Sequence, residues 1–480
     1  MAELWRLPAR TVVELLRLGE LSPKEAVDAA IERIESVDPL INAVPIRDFE
    51  RARAKAARFK AAPTERGWLA GLPVLIKDMA DVEGLLTTMG DPTVTEPAAI
   101  SDIVVRTIEA HGGIVLGKTN VPFQGLGRDT DNPRFGLTRN PLDLSLSTAG
   151  SSGGAAAALA SGMAWLAHGS DLGGSVRGPA AFCGVVGLRP SPGRIAHGGR
   201  GTKRRPLDTL VVEGPMARDV RDCALFLDAM AAAHPEDPLS FDPPRQSFAQ
   251  SVATARLPKR IAFSVDLGGA AVIEPAVAEV VSRAVKRIAG AGVEVTETAP
   301  DFTGVADAAY DLRRGFTRQR HTRATYEAQK DMMAPILRRT VEDSFGLTLE
   351  AYLAAEARQQ KLVTDLRDLL TQFDVFALPT LQSVPYRAGG ATADGESSIA
   401  GRKLKHWAEA ALTRYGLTLS WCPCINLPCG RTANGRPIGL QLVGRPRGEA
   451  ALLAHAAAIE DLLGESARVP VTPVKERVPA

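Results

Sequence analysis

The sequence predicts an α/β fold, and two observations carry that prediction. Short apolar runs alternate with longer amphipathic segments from residue 72 to residue 463. That is the pattern of strands sheathed by helices. An Asn434-Gly435 turn also joins two apolar runs near the C-terminus, a strong hairpin signal.

The elements follow in chain order. Residues 9–36 read as amphipathic helices, with Ser22-Pro23-x-Glu25 supplying a cap and a proline at the first helical position. Leu72–Ile76 is a short apolar run ending at Lys77, expected as a buried strand. Ile103–Ala110 reads as a helix, and Gly113–Leu116 as the next strand. The alanine-rich run Ala155–Ser161 is expected as a closely packed helix. Met163–Ala167 then leads, as a strand, into Asp171-Leu-Gly-Gly-Ser175. A further alternation comprises the strand Ile261–Val265, the helix Val277–Ile288 and the strand Val293–Thr296. Asp374–Leu378 reads as a strand. The hairpin pairs Asn426–Cys429 with Gly439–Val443, and the helix Glu449–Leu463 closes the fold.

No Ser/Gly/Pro-rich linker or charge run divides the 480 residues, so one domain spanning 1–480 is expected. Within it lie N-terminal helices over 9–60, a core over 71–230, a more helical region over 231–371, and C-terminal strands and a helix over 372–465. Basic and acidic residues number 57 and 55, for a net charge of +2, which gives no electrostatic reason to expect nucleic-acid binding. The short basic cluster Arg200–Arg205 lacks interleaved aromatics and reads as a solvated loop. The N-terminal segment lacks the apolar core of a signal peptide, and no apolar stretch is long enough to span a membrane. A cytoplasmic protein is expected. The five cysteines fit buried or free thiols, since Cys422, Cys424 and Cys429 do not make a complete zinc ligand set.

Chemistry concentrates between residues 147 and 190. Ser151 and Ser175 both sit in glycine-rich turns. Glycine permits backbone angles that other residues resist. Such a turn pushes a hydroxyl outward and aims neighbouring N–H groups at one point. Acyl transfer by serine needs both an exposed nucleophile and backbone donors for the oxyanion.

The segments AGSSGG at 149–154 and SDLGGSVRGPAAFCGVVGLRP at 170–190 resemble the amidase signature family. So do GLPVLIKD at 71–78, DNPRFGLTRNPLD at 131–143 and LPCGRTANGRPIGLQLVG at 427–444. The resemblance implies a mixed central sheet of many strands with helices on both faces. It also implies a Ser–cis-Ser–Lys triad. Ser175 matches the nucleophile, Ser151 the bridging serine held by a cis peptide bond, and Lys77 the general base. The amides of Leu172, Gly173, Gly174 and Ser175 would form the oxyanion hole. Asp171 and Arg177 would support the nucleophile turn, with Ser152 in the same network. A free lysine titrates near about 10.4 and would stay protonated. Burial disfavours the charged form, and Val74-Leu75-Ile76 hints at such burial. Neutral Lys77 would take a proton from Ser151, and Ser151 one from Ser175. The relay would later return a proton to the leaving amine.

Two competing motifs fail on physical grounds. Gly112–Thr119 satisfies the phosphate-loop pattern G-x4-G-K-T. That motif needs a strand before it, a loop between its glycines and a helix after it. Here a helix-like segment precedes it, strand formers fill it, and Val121-Pro122 follows. Lys118 therefore reads as structural. None of the seven histidines sits where it would pair with Ser175, and His168 reads as a packed strand residue.

Departures from the family pattern fall on the pocket. Ala149 replaces the first glycine of the common GGSSGG. Met79-Ala80 replaces Asn-Ile after Lys-Asp, and Gln124 stands where many relatives carry glutamate. The 79–90 and 121–130 loops are expected to line the pocket, with Phe123, Gln124 and Trp421 as candidate substrate contacts. The expected activity is hydrolysis of small-molecule amides, with esters or carbamates as further substrates, by a monomer or homodimer. No cofactor, metal, nucleic acid or membrane is required. The alternatives are the glutaminase subunit of a tRNA-dependent amidotransferase and a catalytically inactive binding protein. The presence of Lys77, Ser151 and Ser175 opposes the latter.

Overall fold

The computed structural model describes residues 3–60, 66–198, 209–389 and 398–473. The basic cluster Arg200–Arg205 lies outside the described residues. Eleven strands form one sheet: β1 (Ile46–Arg47), β2 (Pro73–Lys77), β3 (Ile114–Thr119), β4 (Leu166–Asp171), β5 (Val186–Arg189), β6 (Val212–Ala217), β7 (Arg260–Phe263), β8 (Glu294–Glu297), β9 (Val375–Pro379), β10 (Cys424–Arg431) and β11 (Pro437–Val443). Their order is β1-β3-β2-β4-β6-β5-β10-β11-β9-β7-β8. The β2–β3, β2–β4, β7–β8 and β7–β9 pairs are parallel and the others antiparallel, so the sheet is mixed. β2, β3 and β4 are buried along their whole length; β2 and the first half of β3 are near-continuous apolar runs, whereas β4 carries His168, Ser170 and Asp171 into the interior.

The helices obey local rules. Gly19, at φ 73°, ends Ala9–Leu18, and a Ser22/Glu25 capping box starts Pro23–Ile41. The expected 9–36 segment is therefore two helices. Ile103–Ala110 and Glu449–Leu463 form as expected. Gly153–Ala160 is entirely buried, because glycine and alanine let it pack close to the sheet.

Some elements differ from expectation. The strand expected at Met163–Ala167 is Leu166–Asp171, because Gly162 turns the chain at φ 77° and pairing with β6 begins at Leu166. β3 runs on through Gly117-Lys118-Thr119, where a Cβ on Gly117 would lie 2.5 Å from the Ile46 carbonyl of β1. No α-helix opens at Lys118-Thr119, only a 3-10 turn at Phe123–Gly125 after Pro122, and the phosphate-loop geometry is absent there. β5 and β6 are additions that the apolar pattern does not foretell. Among the described residues no helix is long and apolar enough to cross a membrane.

Candidate active site

The end of β2 delivers Lys77 into the protein interior, where it is 0% exposed. Its Nζ donates to Ser151 Oγ at 2.8 Å and to the Ser170 carbonyl at 3.1 Å. Its backbone N–H donates to His168 Nδ1 at 3.3 Å. That bond places the His168 proton on Nε2, which meets Glu213 Oε2 at 2.7 Å. The other oxygen of Glu213 meets His197 Nδ1 at 2.9 Å. His168 is indeed a packed strand residue. Through Lys77's backbone it also fixes the strand end that carries the amine.

The two glycine-rich turns meet. The Gly150–Ser151 peptide bond is cis. The Ser152 N–H donates to the Ser175 carbonyl at 3.1 Å, which ties the turns together. Ser152 Oγ lies 3.4 Å from the Ser170 carbonyl. Ser151 and Ser175 both line one cleft, of about 1100 Å³ including its open mouth. Ser175 is half-buried there.

A buried ion cluster builds the nucleophile turn. Arg177 Nε and Nη2 grip the two oxygens of Asp171 at 3.0 and 2.9 Å. Arg189 Nη1 reaches the Asp171 carbonyl at 2.5 Å and its carboxylate at 3.4 Å. Arg177 also donates to Gln441 Oε1 at 2.7 Å and to Thr418 Oγ1 at 3.0 Å. Burial alone would raise the Asp171 carboxyl, but Arg177 and Arg189 outweigh it and hold the group well below the usual range. Asp171 and Arg177, expected to support the nucleophile turn, are thus paired with each other beside it.

One expectation needs correction. The Gly174 N–H donates to Asp171 Oδ1 at 2.9 Å, so that amide is committed to the carboxylate. The Val176 N–H is committed likewise, at 3.2 Å. Gly174 instead supplies shape. Its φ is 95°, and a Cβ there would lie 2.5 Å from Arg414 Cβ. Of the four amides expected as oxyanion donors, Gly174 is the one that the bond to Asp171 takes out.

The substrate candidates divide. Gln124 lines the cleft and donates from Nε2 to Gln329 Oε1 at 2.9 Å. Its loop crosses the site, since a Cβ on Gly125 would sit 3.9 Å from Ser151 Oγ. Met79 also lines the cleft. Phe123 does not; it packs into a small core with Tyr326, Met333, Leu337 and Val341. Trp421 is 38% exposed at the surface, outside the cleft lining. Phe123 opens the short 3-10 turn Phe123–Gly125 after Pro122 and is buried there, and the tight turn at Trp421, with φ 59°, leaves that side chain exposed.

Lys118 is structural, as expected. Its Nζ meets Asp78 Oδ1 at 2.8 Å, the Leu86 carbonyl at 2.7 Å and Thr87 Oγ1 at 2.7 Å. Cys422, Cys424 and Cys429 are buried thiols, and burial pushes the first two up to about 12 and about 11. Sequence reasoning missed Arg128, Arg313, Arg320 and Arg414 on the cleft wall, along with Phe182, Tyr386 and Trp407. Arg128 lies in the 121–130 loop expected at the pocket and Phe182 in the 170–190 segment, whereas Arg313, Arg320, Tyr386, Trp407 and Arg414 come from segments with no motif, and the fold brings them together.

A mixed sheet carrying a glycine-built serine cleft over a buried lysine marks an α/β enzyme of hydrolytic type. The family model "Amidase" matches residues 25–453, and the chain belongs to the amidase signature family. It is 34% identical to a glutamyl-tRNA(Gln) amidotransferase subunit of Moorella thermoacetica, over 95% of this chain and 97% of the relative. It is also 34% identical to an acylamidase of Rhodococcus erythropolis, over 95% of each chain. Among solved structures, a bacterial aryl acylamidase of the amidase signature family superimposes with a TM-score of 0.85 at 26% identity, covering 97% of this chain and 99% of that one.

Proposed function

We propose that this amidase signature hydrolase cleaves small-molecule amides by itself, through an acyl-enzyme on Ser175. The observation that carries the reading is the Lys77 Nζ–Ser151 Oγ contact of 2.8 Å beside the half-buried Ser175. Burial disfavours an ammonium at Lys77, so the amine is suited to accept a proton. It takes the Ser151 proton as Ser151 takes that of Ser175. Ser175 Oγ attacks the carbonyl carbon, and the negative charge on the carbonyl oxygen falls to the amides of Leu172, Gly173 and Ser175. The C–N bond breaks as Ser151, resupplied by Lys77, protonates the leaving nitrogen. Water, deprotonated by the same relay, then attacks the ester and frees the acid and Ser175. Esters and carbamates fit the same steps.

A glutaminase subunit of an amidotransferase is the second reading, favoured by the resemblance to the amidotransferase relatives. Glutamine carries an ammonium as well as a carboxylate. The described residues lining the cleft include four arginines and no aspartate or glutamate, which suits a zwitterion poorly. The purified chain, assayed alone, is expected to release the amine from an aryl amide far faster than ammonia from glutamine. Ser175→Ala is expected to abolish both turnover and covalent labelling by a serine-directed phosphonate while the fold remains. Labelling retained at Ser151 would reassign the nucleophile, and glutaminase activity restricted to a complex would favour the second reading.

A further inference from the structure

The cleft beside Ser175 is electrostatically one-sided. Arg128, Arg313, Arg320 and Arg414 line it, and no described lining residue is acidic. Arg414 lies against the nucleophile turn, which has glycines where it passes. A Cβ on Gly178 would come within 2.7 Å of Arg414 Nη1. The Arg414 guanidinium makes no ion pair with a described residue, and its Nε is buried without a hydrogen-bond partner. A donor left in that state costs free energy unless something fills the site.

Arg128 reaches the same region from the 121–130 loop. Its guanidinium stands 4.7 Å above the Tyr386 ring, and Tyr386 Oη donates to the Arg128 carbonyl at 2.8 Å. The ring thus holds Arg128 in place, and Phe182 packs edge-on against Tyr386 at 5.5 Å. Asp129, the carboxylate that Arg128 acts on, is not a lining residue. It accepts from the Gly389 N–H at 3.0 Å and forms no ion pair with Arg128 or Arg414. Burial pulls Arg414 down to about 10; Tyr386 and Asp171 oppose that, while Arg177 and Arg128 add to it. A guanidinium of that kind remains charged at neutral pH and lacks a counter-ion in the wall.

We propose that Arg414 and Arg128 bind a carboxylate carried by the substrate, so that the preferred amides are monoanionic, with an apolar or aryl portion against Phe182 and Tyr386. The inference rests on the hydrolase reading and narrows its substrate class. A planar guanidinium matches a carboxylate by paired N–H donation, and the low-dielectric wall strengthens that bond.

The test compares three 4-nitroanilides: the free acid of the succinyl compound, its near-isosteric primary amide, and the butyryl compound. Nitroaniline release is followed for the wild type, Arg414→Gln, Arg414→Lys and Arg128→Gln. Thermal melting and the rate of phosphonate labelling report whether each variant folds with a working serine. The free acid is expected to exceed both neutral compounds in kcat/KM by about ten- to a hundredfold, the range of a hydrogen bond to a charged group. The Gln variants should bring that ratio towards one, and Arg414→Lys should keep part of it. A neutral compound turned over as well as the acid, or a ratio unmoved in both Gln variants, overturns the proposal and leaves the amidase reading standing. If no anilide is cleaved, calorimetry of Ser175→Ala with the same compounds decides. Preference for the acid, lost with Arg414→Gln, upholds the carboxylate site although the hydrolase reading fails. Equal or absent binding overturns it.

Discussion

Lys77 and Lys118 sit on neighbouring parallel strands, and both are fully buried. The register pairs Ile76 with Lys118 and Lys77 with Thr119, so the two side chains leave opposite faces of the sheet. Lys118 meets a carboxylate, that of Asp78, and two further oxygens. Burial lowers Lys118, and Asp78 opposes the shift. Lys77 meets the Ser151 hydroxyl and a carbonyl. A hydroxyl can give up its proton along a relay, whereas a carboxylate fixes an ammonium in place. The same residue type at nearly the same depth is thus a joint in one place and, in the proposed mechanism, a proton acceptor in the other. Burial alone does not tell them apart, and the partner's chemistry does.

The largest expected effect breaks or upholds that contrast at Lys77. Lys77→Met is expected to lower amide hydrolysis by about 10²–10⁴-fold, the usual weight of general acid–base catalysis. Matched esters should lose less, because an alkoxide leaves with less help than an amine. Equal losses on amide and ester would remove the proton-return half of the mechanism. Thermal melting should stay closer to the wild type than it does in Lys118→Met, since Met has a similar volume and leaves no buried carboxylate without its cation.

Lys118→Met should do the reverse. It leaves Asp78 buried without its cation and is expected to cost about 3–5 kcal/mol in denaturant unfolding. Asp78→Asn in the same chain should restore part of that loss, because the two residues are directly coupled. A stable Lys118→Met protein with Lys77-like loss of turnover would mean that Lys118, too, serves the chemistry.

A third buried group tests burial beside a like charge. Glu460 accepts from the Val220 N–H at 2.9 Å and from Ser466 Oγ at 2.6 Å. Burial, then Asp219, pushes its carboxyl from 4.5 up to about 8. Between those values the folded protein keeps a proton that the unfolded chain releases. Stability is therefore full below 4.5 and falls as pH rises towards about 8. Glu460→Gln retains both hydrogen bonds, with the amide nitrogen donating to Ser466. It should flatten the melting temperature across that window. An unchanged slope would place the titration elsewhere, with Asp222, raised to about 6, the next group to replace.

What is legible in the sequence follows the same division. The Ser151 and Ser175 turns and Lys77 lie in contiguous glycine-rich or apolar segments, so local backbone demands expose them. β6 is not legible, because Gly214-Pro215 lies inside it and proline normally argues against a central strand. Pro215 nevertheless sits opposite His168 there. Gly174 reads as an oxyanion donor from its position, because the sequence does not show which way its N–H points. Asp171, three residues earlier, takes it. The arginines of the cleft wall come from distant segments, and tertiary structure alone assembles them.

The smallest expected effect separates the cleft from the surface. Gln124 lines the cleft, and its amide is held by Gln329. Gln124→Ala removes that contact and one polar group from the wall. It should change the ratio of kcat/KM between two amides of different acyl size by about 1 kcal/mol, the low end for a single pocket contact. Phosphonate labelling of Ser175 by a small reagent reports on the serine itself and should change less than that ratio. Trp421 offers the control. It is 38% exposed and outside the cleft lining, so Trp421→Ala should leave the substrate ratio unmoved. Its left-handed backbone, at φ 59°, makes a modest change in melting temperature the only expected readout. A shifted substrate ratio in Trp421→Ala with no shift in Gln124→Ala would reverse the assignment of wall and surface. The discriminating contacts would then lie at the turn that carries Trp421 and not in the loop that crosses Ser151.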